Sequence, residues 1–374
     1  MKSILPGATL GILGSGQLGR MFAIAARRLG YYIHVYSPDK KSPTGQIADK
    51  EIVGDYDDLD AIKAFAKKVD VVTLEFENIP VAAALATEKF APLRPGPNAL
   101  HTTQHRLREK TFLKTNNFPV THFEAITESL PTDFPFPAIL KTAGFGYDGK
   151  GQIKVTSQAE LRDAWKQLDK QACVLEALVP FEREVSVVAA RGLDGAFVHY
   201  GVLENAHANH ILDITTSPAL ITAKTFRDAI EITEGIFNKL DIVGTSCVEF
   251  FLNHDGSLIV NEIAPRPHNS GHLTIDAAAT CQFEQQLRAV CGLPLGNTTF
   301  HSPAAMANLL GDIWQSHTPD WQALLAFPEL RLHLYGKEKA RAGRKMGHLT
   351  ALGKSGSEAA AMVRAARQAL LSSI

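Results

Sequence analysis

The sequence predicts an α/β protein, with a parallel sheet at its N-terminal end and α+β architecture in its middle and C-terminal parts. Three observations carry this. Short apolar strands alternate with amphipathic helices over the first hundred residues, the pattern of a parallel sheet covered on both faces. A loop holding four glycines, Lys141 to Gln152, lies between two strand-like runs. Near residue 250, two acids fall on the two arms of an expected hairpin.

Leu10-Gly-Ile-Leu13 is a short buried strand that runs into the turn Gly14-Ser-Gly16-Gln-Leu-Gly19. Leu18, Met21, Phe22, Ala25 and Leu29 then share one helical face. Tyr31 to Tyr36 reads as the next strand. A second helix buries Leu59, Ile62, Phe65, Ala66 and Val69 and leads into a strand at Val71 to Leu74. The first turn fits a dinucleotide fingerprint, yet the second strand ends Val35-Tyr36-Ser37, with no carboxylate where a nicotinamide enzyme holds its ribose; Asp39 arrives only after a proline. A helix N-terminus after such a turn can hold any phosphate, so a substrate phosphate is the expectation here. Pro92, Pro95 and Pro97 follow, with Asn98 expected to cap one helix carrying Arg106, Arg108 and Lys110 as far as Asn116.

In the middle region Pro137 to Lys141 and Gln152 to Val155 read as paired strands. Gly144, Gly146, Gly149 and Gly151 between them allow positive φ and close approach of backbone N–H groups to a polyanion, with Lys141 and Lys150 adding charge. The loop nearly fits a P-loop, but Gly151 stands where a hydroxyl is needed and a strand follows instead of a helix. It is expected to be a flap over a nucleoside triphosphate. Ser157-Gln-Ala-Glu160 predicts a capping box, and strands are expected near Ala172 to Glu176 and Glu184 to Arg191.

Val243 to Leu252 and Ser257 to Ile263 are strand-like around the turn Asn253-His-Asp-Gly256. If Leu252 faces Ser257, Glu249 faces Val260 and Glu262 is its diagonal neighbour, about 7–8 Å away at the backbone. Two such acids repel and call for a cation, with phosphate-bound magnesium the expected one. The rigid segment Ile263-Ala-Pro-Arg266-Pro-His268-Asn-Ser-Gly-His272 follows directly. Near the C-terminus Lys337, Lys339, Arg341, Arg344 and Lys345 crowd into one loop, suited to clamping a substrate phosphate. The last residues read as a plain amphipathic helix.

Composition excludes several classes. The 374 residues carry a formal net charge of −1, which gives no broad positive field for nucleic acid. Cys173, Cys247, Cys281 and Cys291 lack CxxC spacing, so neither zinc nor a disulfide framework is expected, and a reduced, cytoplasmic setting fits. No signal peptide or membrane-spanning run is expected.

Taken together, these segments resemble the ATP-grasp superfamily, and within it the 5-(carboxyamino)imidazole ribonucleotide synthetase family of purine biosynthesis. The resemblance covers nearly the whole chain in family order. It rests on Gly14 to Met21, Thr73 to Pro80, Arg106 with Glu109-Lys110, the Lys141 to Gln152 flap, Glu176 with Phe181 to Ser186, Glu249, Asn261 to His272, and the basic loop ending at His348. Single motifs are shared with other ATP-grasp ligases, such as a formate-dependent glycinamide ribonucleotide transformylase. The histidine loop and the basic loop together point to this family.

The resemblance implies an ATP-grasp fold with a Rossmann-like N-terminal domain, in regions 1–105, 106–192 and 193–374. It implies ATP and magnesium as cofactors, 5-aminoimidazole ribonucleotide and bicarbonate as substrates, and a homodimer. Around ATP it places Arg106, Lys141, Gly146, Tyr147, Asp148, Gly149, Lys150, Gly151, Gln152, Glu176, Ala177, Leu178, Val179, Glu184, His207, Asn261 and Glu262. The 176–179 stretch would meet adenine and Glu184 the ribose. Glu249 and Glu262 would hold magnesium. Gly16, Gln17, Leu18, Glu75, Asn78, Lys337, Arg344 and Lys345 would bind the ribonucleotide, with Asp148, Arg266, His268 and Lys337 at the reacting centre; Asp148 or His268 could accept the amine proton. Ala342 stands where the basic loop often has proline.

Overall fold

The computed structural model describes residues 3–144, 151–315 and 318–371. Its first sheet is parallel: β1 (Thr9–Leu13), β2 (Tyr32–Ser37), β3 (Lys50–Val53) and β4 (Val71–Leu74), in the order β3-β2-β1-β4. The helix Gln17–Arg28 buries Leu18, Met21, Phe22 and Ala25, the face expected from their spacing. Strand β3 was not anticipated; its opening Lys50-Glu51 hides a short edge strand that pairs with β2 alone.

The helix expected to be capped by Asn98 is two helices, Pro97–Thr103 and Arg106–Thr115. Gly96 is the N-cap and Pro97 takes the first helical position, where its missing N–H leaves nothing unpaired. The break comes at His105, which is extended and bridges Gly144, while Arg106 N donates to Ala143 O at 2.7 Å. A tertiary contact with the base of the flap thus divides a helix that local pattern would continue.

The second sheet is antiparallel: β5 (Phe123–Ile126), β6 (Ala138–Thr142), β7 (Gln152–Val155) and β8 (Cys173–Ala177), ordered β5-β8-β6-β7. Ser157 caps the helix Gln158–Gln167, accepting from Glu160 N, but Glu160 reaches back to Thr156 N (2.7 Å), not Ser157 N.

The third sheet contains nine strands: β9 (Arg183–Arg191), β10 (Phe197–His199), β11 (Leu203–Ala208), β12 (Ile211–Ser217), β13 (Gly244–Leu252), β14 (Leu258–Ala264), β15 (Ala304–Leu310), β16 (Leu330–Leu334) and β17 (Lys345–Leu352). Its path is β14-β13-β9-β11-β12-β15-β17-β16, with β10 on β9. The expected division at 192/193 falls inside this sheet, between the paired β9 and β10, so the break between sheets lies in the β8–β9 connection instead. Helix Ala223–Lys239 covers one face, packing Ala229, Ile236 and Phe237 on Val185, Val187 and Phe250. Helix Gln282–Val290 does the joining: Phe283, Leu287 and Val290 share a core with Leu18, Phe22 and Ile33 of the first sheet region.

Candidate active site

Lys141 is the penultimate residue of β6 and Glu176 the penultimate residue of β8, on neighbouring strands. Lys141 Nζ donates to Glu176 Oε2 at 3.0 Å. Lys110 Nζ lies 3.4 Å from the same oxygen and donates to the Asn261 carbonyl at 2.8 Å. All three charged groups are buried. Burial pushes the Glu176 carboxyl up, but Lys110 and Lys141 outweigh it and hold it at about 2. Burial lowers the Lys141 ammonium, with Glu176 opposing. The Glu176 side chain thus turns inward onto two lysines. Beyond it, Ala177 N and Leu178 N donate to His122 O and Pro137 O, whereas among the described residues Val179 N has no hydrogen-bond partner and is available to a ligand. Arg106 Nη1 donates to Thr142 O at 2.7 Å, beside the flap. Gly151 has φ +69° and Gln152 pairs with Lys141, while Gly146, Tyr147, Asp148, Gly149 and Lys150 lie outside the described residues.

The acid pair differs from expectation in register. Leu252 faces Leu258, not Ser257, and a β-bulge next to Glu249 makes Asn261 the extra residue, so Glu249 faces Glu262 directly. Without the bulge Glu262 would oppose Val248, a core residue, and point away from the cleft. Burial, then the Glu262 charge, pushes the Glu249 carboxyl up to about 8. Among the described residues no cluster of three or more His, Cys, Asp or Glu could hold a metal by itself. Two facing carboxylates fit magnesium, an oxygen-seeking ion that completes its shell with phosphate and water. Glu184 and His207 are ion-paired on β9 and β11, next to this pair; burial lowers the His207 imidazole, but Glu184 more than restores it.

His268 is held by a directed chain of buried hydrogen bonds. Thr215 donates to Asn205 Oδ1, Asn205 Nδ2 to Ser186 Oγ, and Ser186 to Ser270 Oγ, each at 2.9 Å. Ser270 Oγ lies 2.9 Å from His268 Nδ1, and Ser270 N donates to that nitrogen at 3.3 Å. A backbone N–H only donates, so Nδ1 carries the lone pair and the proton sits on Nε2, 3.1 Å from Glu249 Oε1. Burial, aided by Arg266, keeps the ring neutral, well below its ordinary pKa.

Arg266 forms a two-pronged ion pair with Glu77, Nη2 donating to Oε1 at 3.0 Å. Glu75 occupies the first glycine turn: its carboxylate accepts from Leu18 N at 3.3 Å, and a Cβ on Gly16 would stand 2.3 Å from Oε1. Burial raises the Glu75 carboxyl, with the Gly16 and Leu18 amides and Arg266 opposing. The helix N-terminus expected to hold a substrate phosphate is therefore taken by the protein's own anion. The basic loop lies between β16 and β17. There Lys337 Nζ donates to Lys345 O (2.7 Å), Arg344 Nη1 to Lys339 O (2.6 Å), and Gly343 N to Asp312 Oδ2 (2.7 Å).

The structure thus joins Lys141, Glu176, Lys110, Asn261, Glu262, Glu249 and His268 along one run of contacts and strand pairing, with the Arg266–Glu77 pair two residues before His268. Sequence reasoning overlooked Glu77, Glu109 and Lys110 as residues that support the site. Two acids stand in the Thr73–Pro80 segment and Glu109-Lys110 is a charged pair on a helix turning Leu113 into the core, but neither pattern marks a buried charge. A cavity of about 470 Å³ between Tyr200–Val202 and Thr298–Pro303 contains none of the expected site residues.

Family models match three consecutive parts of the chain: a ribonucleotide synthetase preATP-grasp domain over 7–104, an ATP-grasp domain over 108–283, and a phosphoribosylaminoimidazole carboxylase C-terminal domain over 304–362. The N5-carboxyaminoimidazole ribonucleotide synthase of Brucella melitensis is 44% identical, with 93% of this chain and 97% of that protein aligned. The bifunctional purine synthesis protein purC/E of Dictyostelium discoideum is 41% identical over 92% of this chain, which spans only 37% of that longer protein. Among solved structures, the Staphylococcus aureus N5-carboxyaminoimidazole synthetase complexed with ADP superposes with a TM-score of 0.91 at 35% identity, covering 98% of this chain and 99% of that one. The Aspergillus clavatus enzyme in complex with ADP and 5-aminoimidazole ribonucleotide gives 0.89 at 28% identity, covering 97% and 98%.

Proposed function

The chain belongs to the N5-carboxyaminoimidazole ribonucleotide synthase family of ATP-grasp ligases, and from that premise we propose that it carboxylates 5-aminoimidazole ribonucleotide with bicarbonate, converting ATP to ADP and phosphate. One observation carries the site reading. Lys141, at the root of the flap, reaches Asn261, next to Glu262, through Glu176 and Lys110, with no separation above 3.4 Å. A single triphosphate can therefore touch both the lysine and the acid pair.

Bicarbonate is a poor electrophile because hydroxide would have to leave. Attack of its oxygen on the γ-phosphorus forms carboxyphosphate and releases ADP; phosphate then leaves as the exocyclic amine takes the carboxyl group. Lys141, Lys150 and the amides of Gly146, Tyr147, Gly149, Gly151 and Gln152 hold the phosphates, while Arg106 buttresses the flap from below. Ala177, Leu178 and Val179 present the backbone edge to adenine, and Glu184 and His207 flank the ribose. Glu249 and Glu262 would hold magnesium, which would neutralise charge on the transferring phosphoryl group. Arg266, oriented by Glu77, faces bicarbonate and carboxyphosphate. Of the two candidate bases, His268 already donates from Nε2 and accepts at Nδ1, which leaves Asp148 to accept the amine proton. Glu75, seated on Gly16, Gln17 and Leu18, and Asn78 hold the ribonucleotide from the first sheet. Lys337, Arg344 and Lys345 hold its phosphate.

A homodimer and a cytoplasmic location belong to the same reading. The dimer is supported by the family resemblance and checked by mass in solution. The location is supported by four cysteines that are all free thiols and by the lack of any described helix long and apolar enough to cross a membrane. The deciding experiment measures ADP release at controlled bicarbonate, with and without 5-aminoimidazole ribonucleotide. Release that depends on the ribonucleotide is expected. Release stimulated instead by formate and glycinamide ribonucleotide would overturn the assignment.

A further inference from the structure

Glu262 is useful only if its peptide backbone holds the bulged conformation that turns it toward Glu249. Both peptide groups flanking it are held by adjacent residues of one helix. The Asn261 carbonyl, in the peptide before Glu262, accepts from Lys110 Nζ at 2.8 Å. The Ile263 N–H, in the peptide after it, donates to Glu109 Oε2 at 3.0 Å. Glu109 and Lys110 are 3% and 2% exposed, so these bonds face no competition from water. Burying a lysine costs several kcal/mol unless its ammonium is well bonded, and a lysine needed only to neutralise Glu176 would not have to reach a carbonyl on another sheet.

The same helix, Arg106–Thr115, begins at the flap: Arg106 N donates to Ala143 O and Arg106 Nη1 to Thr142 O, both at 2.7 Å. It therefore spans from the root of the flap to the metal hairpin.

We propose that Glu109 and Lys110 are positioning residues that clip the peptides on either side of Glu262 and so set its aim at the magnesium ion. The clip rests on the proposed role of Glu262 as a metal ligand. Neither clip residue touches substrate, and their loss acts through metal affinity before it acts on the nucleotide.

The test is manganese binding to the enzyme–ADP complex, followed by electron paramagnetic resonance, alongside the magnesium dependence of turnover. Glu109→Leu should weaken manganese binding at least fivefold and raise the magnesium requirement by a similar factor, while excess magnesium restores most of kcat. Glu109→Gln keeps an acceptor for Ile263 N and should stay within twofold of the parent in both. If Glu109→Leu does not fold, Lys110→Met carries the same expectation; if neither folds, the clip is a stability element and the proposal fails. Unchanged manganese affinity in a folded Glu109→Leu protein overturns the clip. Glu262→Gln, measured in parallel, separates the premise: normal manganese binding there would remove Glu262 from the metal site altogether.

Discussion

At the scale of single residues, charge placement decides the outcomes. Arg344 stands in the basic loop, Nη1 donating to Lys339 O, and is proposed to meet the substrate phosphate, where a charged hydrogen bond contributes about 1.5–3 kcal/mol. Arg344→Ala should raise KM for 5-aminoimidazole ribonucleotide at least tenfold while moving KM for ATP less than twofold, as measured by steady-state kinetics with each substrate varied. Glu176 titrates at about 2 in the folded protein against an ordinary 4.5. A depressed carboxylate stabilises the fold fully above its unfolded pKa, and that contribution drains as pH falls from 4.5 toward 2. Urea unfolding at pH 5, 4 and 3 should show stability dropping with acid, and Glu176→Gln should flatten that part of the slope. Which residues carry charge chemistry was legible from type and spacing. Lys110 was not, because a lysine on a helix is ordinarily solvated, and only the fold reveals that it is sealed between two sheets.

Elements show where local pattern stops being informative. The glycine turn and its helix were read correctly as a pair, since 3.6-residue periodicity after an apolar strand needs no distant partner. Its occupant was not, because Glu75 arrives from β4, far along the chain. Gly16→Ala should push Glu75 aside through a contact at 2.3 Å, raising KM for the ribonucleotide about tenfold with little change in KM for ATP; isothermal titration with each ligand checks it. The acid hairpin is the second case. Turn chemistry located both strands, but the loop holds one residue more than expected and a bulge inserts another, neither with a sequence mark of its own, so the register slipped by two. Likewise the helix broken at His105 is interrupted by its bridge to Gly144, which no propensity encodes.

For the whole molecule, β1, β2 and β4 of the parallel sheet were legible because amphipathic helices alternate with them, whereas β3 follows β2 with no helix between. The nine-stranded sheet was not legible, because β9 pairs with β13 more than fifty residues later and such long-range pairing leaves no local pattern. What unites the two is helix Gln282–Val290, whose Phe283 and Leu287 enter a core with Leu18 and Phe22. Leu287→Ala should cost about 2–5 kcal/mol. Denaturant unfolding should report it as a lower midpoint.

Glu75 has one more implication, for chemistry this scaffold does not perform. A dinucleotide approaching the first turn would bring its pyrophosphate onto a carboxylate already bonded to the amide it needs. The glycine spacing advertises nicotinamide while the acid lodged inside it refuses the guest, and NADH fluorescence should stay unaltered when the protein is added.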